Sequence, residues 1–263
     1  DPEFSRILDV YISQGRYDVH PQKGKQGGAF CISVGSKYPT YILLNHNNKL
    51  EDVLTIAHES GHGIHTEYSN SQNYLNQGYS TACAETASTF FEDFVLEKIL
   101  EKTNDKEVLL GILDNKLNGD ISSIFRQIAF YNFEKELHAT YREKGFVPKE
   151  EISEMFCKHM TAYLGDSVEQ DESMRNGWIY VSHFRRFFYV YSYASGLLIS
   201  KALQKMVKDN PKNISYVKAF LESGGSKSPK VLFKEMGIDI SKEEIWKKGI
   251  KEIKYLLDKL DGI

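Results

Sequence analysis

The sequence is poor in the features that mark several classes of protein. Its three cysteines, Cys31, Cys83 and Cys157, are odd in number and widely spaced, which excludes a disulfide framework or a zinc ribbon. Three reduced thiols are typical of the cytoplasm, where we expect the protein. No apolar run reaches the roughly 18–20 residues of a membrane span. A net charge of −3 gives no basic surplus, so we expect no nucleic-acid partner.

What the sequence does contain is an ordinary globular composition, with 41% hydrophobic and 26% charged residues. A glycine-rich stretch at 24–30 is followed by two β-like runs, AFCISV (29–34) and TYILLN (40–45), which predict a small antiparallel hairpin. Beyond residue 49 nearly everything is typical of helix. The predicted helices span about 50–69, 80–103, 106–116, 120–144, 149–164, 184–208, 212–222, 228–236 and 241–260.

The predicted fold is therefore mainly α with one small antiparallel sheet. We expect a single domain over residues 1–263, because no repeat or low-complexity linker divides the chain. Within it, a small β region covers about 24–48, a helix pair covers 50–103, and a helical remainder covers 104–263.

The most informative motif is H-E-x-x-H at residues 58–62. On a helix, His58 and His62 lie one turn apart on the same face, so both imidazoles can bind one metal ion. Glu59 lies beside the first of them and is placed to take a proton from an attacking water and pass it to a leaving amine. Two satisfied histidines and an exposed glutamate on an ordinary helix are the alternative interpretation.

A hydrolytic zinc site needs a third protein ligand. His65 lies about 10 Å further along the helix axis than His58, too far for one ion, so we interpret it as a residue that supports a ligand or packs. Glu85 is the stronger candidate, because small residues that permit close helix packing surround it: Ala82, Cys83, Ala84, Ala87 and Ser88. Glu92, on the same face, either accepts a hydrogen bond from a ligand imidazole or is a solvated helix charge.

These segments resemble one family of zinc peptidases. HESGHGIH (58–65) followed by AETASTFFE (84–92) resembles the oligoendopeptidase F branch of the thimet-oligopeptidase family, with His58, His62 and Glu85 at the family's ligand positions. Four further segments resemble the family in family order: GKQGGAFC, FRQIAFYNFE, HFRRFFYVYSYASG and FLESGGSKSPKVLFKEMGIDI. The resemblance implies a helical metallopeptidase catalytic domain with one zinc ion per chain.

The resemblance also implies a substrate and a missing partner. Family members cleave internal bonds of short unfolded peptides, whose backbone binds the edge strand of the small sheet. The best candidates for that edge are Gly28, Ala29 and Phe30. Members are about twice as long, and this chain resembles only their catalytic half. The N-terminal helical half, which walls the substrate channel, is absent, so activity of this chain alone is an open question.

The resemblance further implies donors for the oxyanion of peptide hydrolysis. His183 matches the family histidine. Tyr191, then Tyr189 and Tyr193, are the candidate tyrosines, whose neutral hydroxyls suit a developing negative charge. Alternating aromatic residues in an apolar segment are also typical of a core.

Two other functions remain compatible with the sequence. One is a zinc-stabilised scaffold that binds peptides without cleaving them, because half of the channel is missing. The other is a zinc carboxypeptidase, which uses the same H-E-x-x-H motif but removes one terminal residue at a time.

Overall fold

The computed structural model describes residues 1–262, the side chain of Ser167 excepted, and they form mainly helices, with one small sheet. The helices are α1 (Pro2–Ser13), α2 (Leu50–Ser69), α3 (Thr81–Lys102), α4 (Lys106–Ile121), α5 (Gln127–Lys144), α6 (Lys149–Leu164), α7 (Tyr191–Asp209), α8 (Ile214–Glu222), α9 (Pro229–Glu235) and α10 (Glu243–Asp261). The strands are β1 (Tyr17–Asp18), β2 (Phe30–Ile32) and β3 (Tyr41–Leu43). The predicted mainly α fold is confirmed.

The sheet differs from the predicted antiparallel one because it is mixed. The strand order is β1–β3–β2, with β2 antiparallel and β1 parallel to β3. The hairpin was predicted, but β1 was not, because a strand of two residues is too short to show an alternation of apolar and polar side chains. Its pairing rests on long-range hydrogen bonds, from Ile42 N–H to the carbonyl of Arg16 and from Leu44 N–H to the carbonyl of Asp18.

The predicted helix over 184–208 begins seven residues late, at Tyr191. Residues 182–186 form a short 3-10 turn, and Phe187 and Phe188 then adopt left-handed φ angles of 35° and 56°. The buried Glu134 carboxylate accepts a 2.6 Å hydrogen bond from the Phe188 N–H, which holds this turn. A long-range contact thus overrides the local helical pattern of the aromatic run.

The chain separates into two compact units. One, which we call the metal-helix unit, comprises Asp1–Asn115 and the chain from Gly196 onward; the other, the inserted unit, comprises Lys116–Ser195. Each has its own apolar core, built around Phe90, Leu203 and Phe220 in the first and around Phe133 and Phe156 in the second. The single-domain assignment stays a prediction. Within residues 1–262, no helix combines the length and apolar composition needed to cross a membrane.

Helices α2 and α3 pack closely because glycine occupies the contact point. A Cβ added to Gly61 would lie 2.8 Å from the Cα of Ser88, shorter than side chains allow. Several polar residues of α3, including Thr86, Ser88 and Asp93, are buried in this tightly packed region. Asp93 and Lys201 of α7 form a buried ion pair at 2.8 Å, which ties α7 to α3. The close approach sets the separation of the side chains that α2 and α3 project toward each other.

An open apolar groove of about 1030 Å³ lies in the metal-helix unit between α1, α2 and α3. On α2 its lining comes from Val53, Ile56, Ala57, Ser60 and Ile64, which share one face of the helix. At 100° per residue, the midpoint of His58 and His62 lies roughly 160° away around the helix axis. The groove and the H-E-x-x-H histidines therefore lie on opposite faces of α2.

Replacing Gly61 by alanine should destabilise the metal-helix unit. The new Cβ would meet backbone that cannot swing aside, and such overpacking typically costs about 1–3 kcal/mol. We expect a lower midpoint of urea unfolding, measured by circular dichroism with a chelator present. Gly111→Ala in α4 is the matched control, because an added Cβ there has no heavy atom within 4 Å and should be neutral or stabilising. Equal midpoints for the two variants would contradict the close-packing argument.

Candidate metal centre

Helix α2 presents the imidazoles of His58 and His62 on one face. The two residues are one helical turn apart, and their ring centroids are 5.0 Å apart with the planes nearly perpendicular. The helix continues without interruption from Leu50 to Ser69, and the Asp52 carboxylate caps its start by accepting from the Lys49 N–H at 2.9 Å. The motif thus lies well inside a stable helix, where its two histidines keep a fixed separation.

Helix α3 supplies the third group of the cluster. Glu85 is half-buried, and one of its carboxylate oxygens lies within 4.8 Å of a ring nitrogen of each histidine. The shortest of these distances is 3.5 Å, from Glu85 Oε2 to His58 Nε2. Two imidazole nitrogens and one carboxylate oxygen, converging from two packed helices, form a donor set that could hold a metal ion.

Gly196 of α7 lies directly against Glu85. A Cβ added to Gly196 would lie 2.6 Å from the Cβ of Glu85, so only glycine allows α7 to approach this closely. Sequence reasoning did not identify this residue. The available signal was a glycine among the small residues that begin α7, but which neighbour it faces depends on tertiary packing.

Glu92 is not part of the cluster but contacts one of its members, His58. Its Oε2 is 3.0 Å from Nδ1 of His58, which leaves Nε2 of that ring facing Glu85. Burial disfavours protonated His58, but the carboxylates of Glu85 and Glu92 outweigh it and raise the pKa of the imidazole to about 10. Burial also acts on Glu85, yet the two histidines lower the pKa of its carboxyl overall. The two carboxylates therefore favour positive charge at His58, so the cluster is electrostatically suited to a cation.

His62 has a different environment from His58. Burial and the nearby charge of His58 lower its pKa to about 4, so this imidazole is neutral at physiological pH. A neutral imidazole has a ring lone pair available for a metal ion. The cluster thus contains a histidine that is ready to bind a cation without first losing a proton.

Glu59 is nearly buried, with 7% of its surface exposed. Its Oε2 has no hydrogen-bond partner among residues 1–262. Burial raises the pKa of the carboxyl, while the charge of His58 and the backbone N–H of Cys31 in β2 act in the opposite direction. An unsatisfied carboxylate oxygen beside a three-ligand cluster is suited to accept a proton from a water molecule held there.

The comparison with known sequences identifies the family. The sequence profile described as Peptidase family M3 matches residues 4–252. The chain belongs to Peptidase family M3.

Named relatives and solved structures agree with this M3 membership. Over 263 residues the chain is 30% identical to "Oligopeptidase PepF" of Bacillus subtilis, covering 99% of this chain and 39% of that protein. It is 32% identical to "Oligoendopeptidase F homolog" of Borreliella burgdorferi, covering 99% of this chain and 45% of that protein. The crystal structure of oligoendopeptidase-F from Enterococcus faecium matches with a TM-score of 0.69 at 29% identity, covering 81% of this chain and 39% of that one. The chain thus spans less than half the length of these relatives.

His65, three residues after His62, does not join the metal cluster of this M3 chain. Its ring stacks on Tyr79 at a centroid distance of 3.6 Å and tilts against Phe220 at 5.3 Å. Neither ring nitrogen has a hydrogen-bond partner within residues 1–262, and burial lowers the pKa to about 3. The His65 imidazole is thus neutral and packed between aromatic rings, and its role, to support a ligand or to pack, stays a prediction.

The predicted substrate edge belongs to β2, which has a paired neighbour on one side only among the described strands. Phe30 begins β2, whereas Gly28 and Ala29 precede it, with Gly28 in a left-handed conformation at φ 82°. A Cβ added to Gly28 would meet no heavy atom within 4 Å. The stretch therefore borders open space, as binding of an extended peptide requires.

The candidate oxyanion donors lie in the inserted unit, where three of the four come together. His183 Nε2 and the Tyr193 hydroxyl are 3.0 Å apart, and Tyr189 packs on His183 with ring centroids 5.6 Å apart. Tyr191, the preferred tyrosine, is half exposed and its ring contacts Tyr131 instead. Burial and the charge of Arg186 lower the pKa of His183. The roles of these four residues stay predictions.

Replacing Glu92 by glutamine should weaken zinc binding. The substitution keeps the size of the side chain but removes the charge that orients and polarises His58 through Nδ1. Loss of such a partner typically lowers metal affinity about 10–100-fold. We expect that change in competition with a chromophoric chelator at fixed pH. Glu101→Gln, at an exposed position on the same helix, should bind zinc like the wild type; a similar loss there would mean that only the net charge matters.

Proposed function

We propose that this chain is the catalytic part of a zinc-dependent endopeptidase that hydrolyses internal bonds of short unfolded peptides. The observation that carries the proposal is the convergence of His58, His62 and Glu85 beside the buried carboxylate of Glu59. Membership of Peptidase family M3 supports the reaction class. The names of the relatives, oligopeptidase and oligoendopeptidase, support short peptides as substrates.

The proposed metal is one zinc ion per chain, held by the two imidazoles and the Glu85 carboxylate. When bound, zinc supplies Lewis acidity, which lowers the pKa of water toward about 7 and polarises a peptide carbonyl. Glu59 acts as the general base, because its unsatisfied Oε2 can accept the proton of the attacking water. The raised pKa of the Glu59 carboxyl strengthens it as the base that takes this proton, which then passes to the leaving amine.

The proposed substrate site is the free edge of β2 and the residues leading into it. An extended peptide would add to this edge through main-chain hydrogen bonds with Gly28, Ala29 and Phe30. Such recognition reads backbone rather than side chains, so it suits peptides of varied sequence. It also requires an unfolded substrate, because the backbone of a folded segment is already hydrogen-bonded.

We further propose that His183 and a tyrosine stabilise the oxyanion. Tyr191 remains the first candidate, with Tyr189 and Tyr193 as the others. A phenolic hydroxyl donates a hydrogen bond without carrying charge, which stabilises negative charge that develops during the reaction. His183 Nε2 and the Tyr193 hydroxyl are within hydrogen-bonding distance, and when Nε2 is the donor the Tyr193 hydroxyl keeps its own hydrogen for the oxyanion.

The proposed setting is the cytoplasm, with an N-terminal half like that of the relatives as a partner. Cys31, Cys83 and Cys157 are free thiols, which fits a reducing compartment. The N-terminal half of such relatives would form the opposite wall of the substrate channel, so we expect it to raise the activity of this chain. The test therefore compares this chain with one extended by the N-terminal half of the Bacillus subtilis relative.

Glu59→Gln should abolish most peptide cleavage without removing the metal. Loss of a general base typically slows a reaction about 10²–10⁴-fold, while the ligands stay in place. The measurements are hydrolysis of an internally quenched peptide and zinc content by atomic absorption. Glu51→Gln, at an exposed position in the first turn of the same helix, is the control and should keep full activity. Unchanged hydrolysis by Glu59→Gln would rule out its role as the base.

Product analysis separates the proposal from its two alternatives. Mass spectrometry of the digest should show internal cleavage, whereas a carboxypeptidase would leave a ladder of products shortened by one residue each. Zinc and peptide binding without any product, in both the short and the extended chain, would favour the non-catalytic scaffold. Addition of a chelator should stop cleavage, and added zinc should restore it.

A further inference from the structure

Asn45 lies two residues after the end of β3, opposite the glycine-rich stretch that leads into β2. The β2–β3 register pairs Phe30 with Leu43, so two residues further along it Gly28 faces Asn45. Because Gly28 has a left-handed φ of 82°, its backbone does not continue the strand. The ladder of backbone hydrogen bonds therefore ends before this pair, where the chain needs another means of holding β2 to β3.

The side chain of Asn45 supplies hydrogen bonds beyond the point where the backbone ladder between β2 and β3 ends. Its Nδ2 donates to the carbonyl of Gln26 at 2.9 Å and to the carbonyl of Gly28 at 2.8 Å. Both partners are acceptors, which fixes the orientation of the amide, since only its NH₂ group can serve two carbonyls. One side chain thus holds both carbonyls that flank Gly27.

The same residue is connected to the start of the metal helix. Asn47 donates from Nδ2 to the carbonyl of Asn45 at 2.8 Å, and its own N–H donates to Asp52 Oδ2 at 2.7 Å. Asp52 belongs to the first turn of α2, six residues before His58. A continuous hydrogen-bonded path therefore joins the glycine-rich stretch to the helix that carries the metal ligands.

The other side of this stretch is held by Lys25. Its side chain is 4% exposed, and Nζ donates to Asp18 Oδ1 and to the carbonyls of Asp18 and His20 at 2.8–3.0 Å. An added Cβ on Gly27 or Gly28 would meet no heavy atom within 4 Å. Residues 25–28 are thus held to β1 and to the end of β3 by side-chain hydrogen bonds, while Gly27 and Gly28 border open space.

We propose that Asn45 is a positioning residue for the substrate, which holds the stretch at 26–28 so that the residues after it present their main-chain groups to a peptide. The inference rests on the proposed peptidase function. A recognition edge that is fixed before binding loses less conformational entropy when the peptide binds. Asn45 therefore contributes to peptide affinity and not to the chemical step.

The test uses Asn45→Ala and Asn45→Asp in the zinc-loaded protein. Alanine removes the two donors, and aspartate keeps the shape but turns carboxylate oxygens toward two carbonyls, so aspartate should be at least as harmful. We expect KM to rise about tenfold, equivalent to about 1.4 kcal/mol of binding, and kcat to change less than about threefold. Asn213→Ala is the matched control, because this half-buried residue donates from Nδ2 to the Met206 carbonyl, away from the sheet. A fall in kcat at unchanged KM would overturn the proposal.

Two readouts separate failure of this inference from failure of the proposed function. Amide hydrogen exchange should be faster for residues 26–32 in both Asn45 variants and unchanged in α2. The dissociation constant of short fluorescein-labelled random peptides, measured by anisotropy in a Glu59→Gln background, should rise about tenfold. Weaker binding with no cleavage by any chain would refute the peptidase and keep the positioning role. Unchanged exchange, or faster exchange with unchanged affinity, would overturn the role of Asn45.

Discussion

The close approach of α2 to α3 is the constraint on which the candidate metal centre depends. Gly61 leaves no side chain between α2 and the backbone of Ser88, so the helices come near enough for a short side chain to span the gap. Glu85, one turn before Ser88, therefore reaches both imidazoles of α2. Metal binding requires all three ligands within bonding distance of one point, and that geometry is set by the packing of the two helices rather than by any single ligand.

The groups around His58, His62 and Glu85 come from distant parts of the chain, and they constrain different members of this cluster. Glu92 sets the orientation and charge of His58, while Gly196 lets α7 press against Glu85. The buried pair of Lys201 and Asp93 fixes how α7 lies on α3, which suits a role in specifying this packing more than in adding stability. The candidate ligands are therefore held by a packed scaffold, as preorganised sites require.

Local pattern was enough to select the candidate ligands that α2 and α3 carry. The spacing of His58 and His62, and the small residues around Glu85, are properties of helical periodicity and packing that a sequence displays directly. The turn at Phe187 and Phe188 was not predictable, because it depends on Glu134, more than fifty residues earlier. Strand β1 was missed for the same reason, since its two residues are a strand only through pairing with β3.

The open groove and the candidate metal ligands His58 and His62 lie on opposite faces of α2. Apolar side chains from Val53 to Ile64 line that groove, and the histidines point away from it. A molecule lodged there would touch the rear of the helix and could not compete for a coordination position. It could affect the candidate ligands only by shifting or stiffening α2 as a whole, because the helix itself separates the groove from His58 and His62.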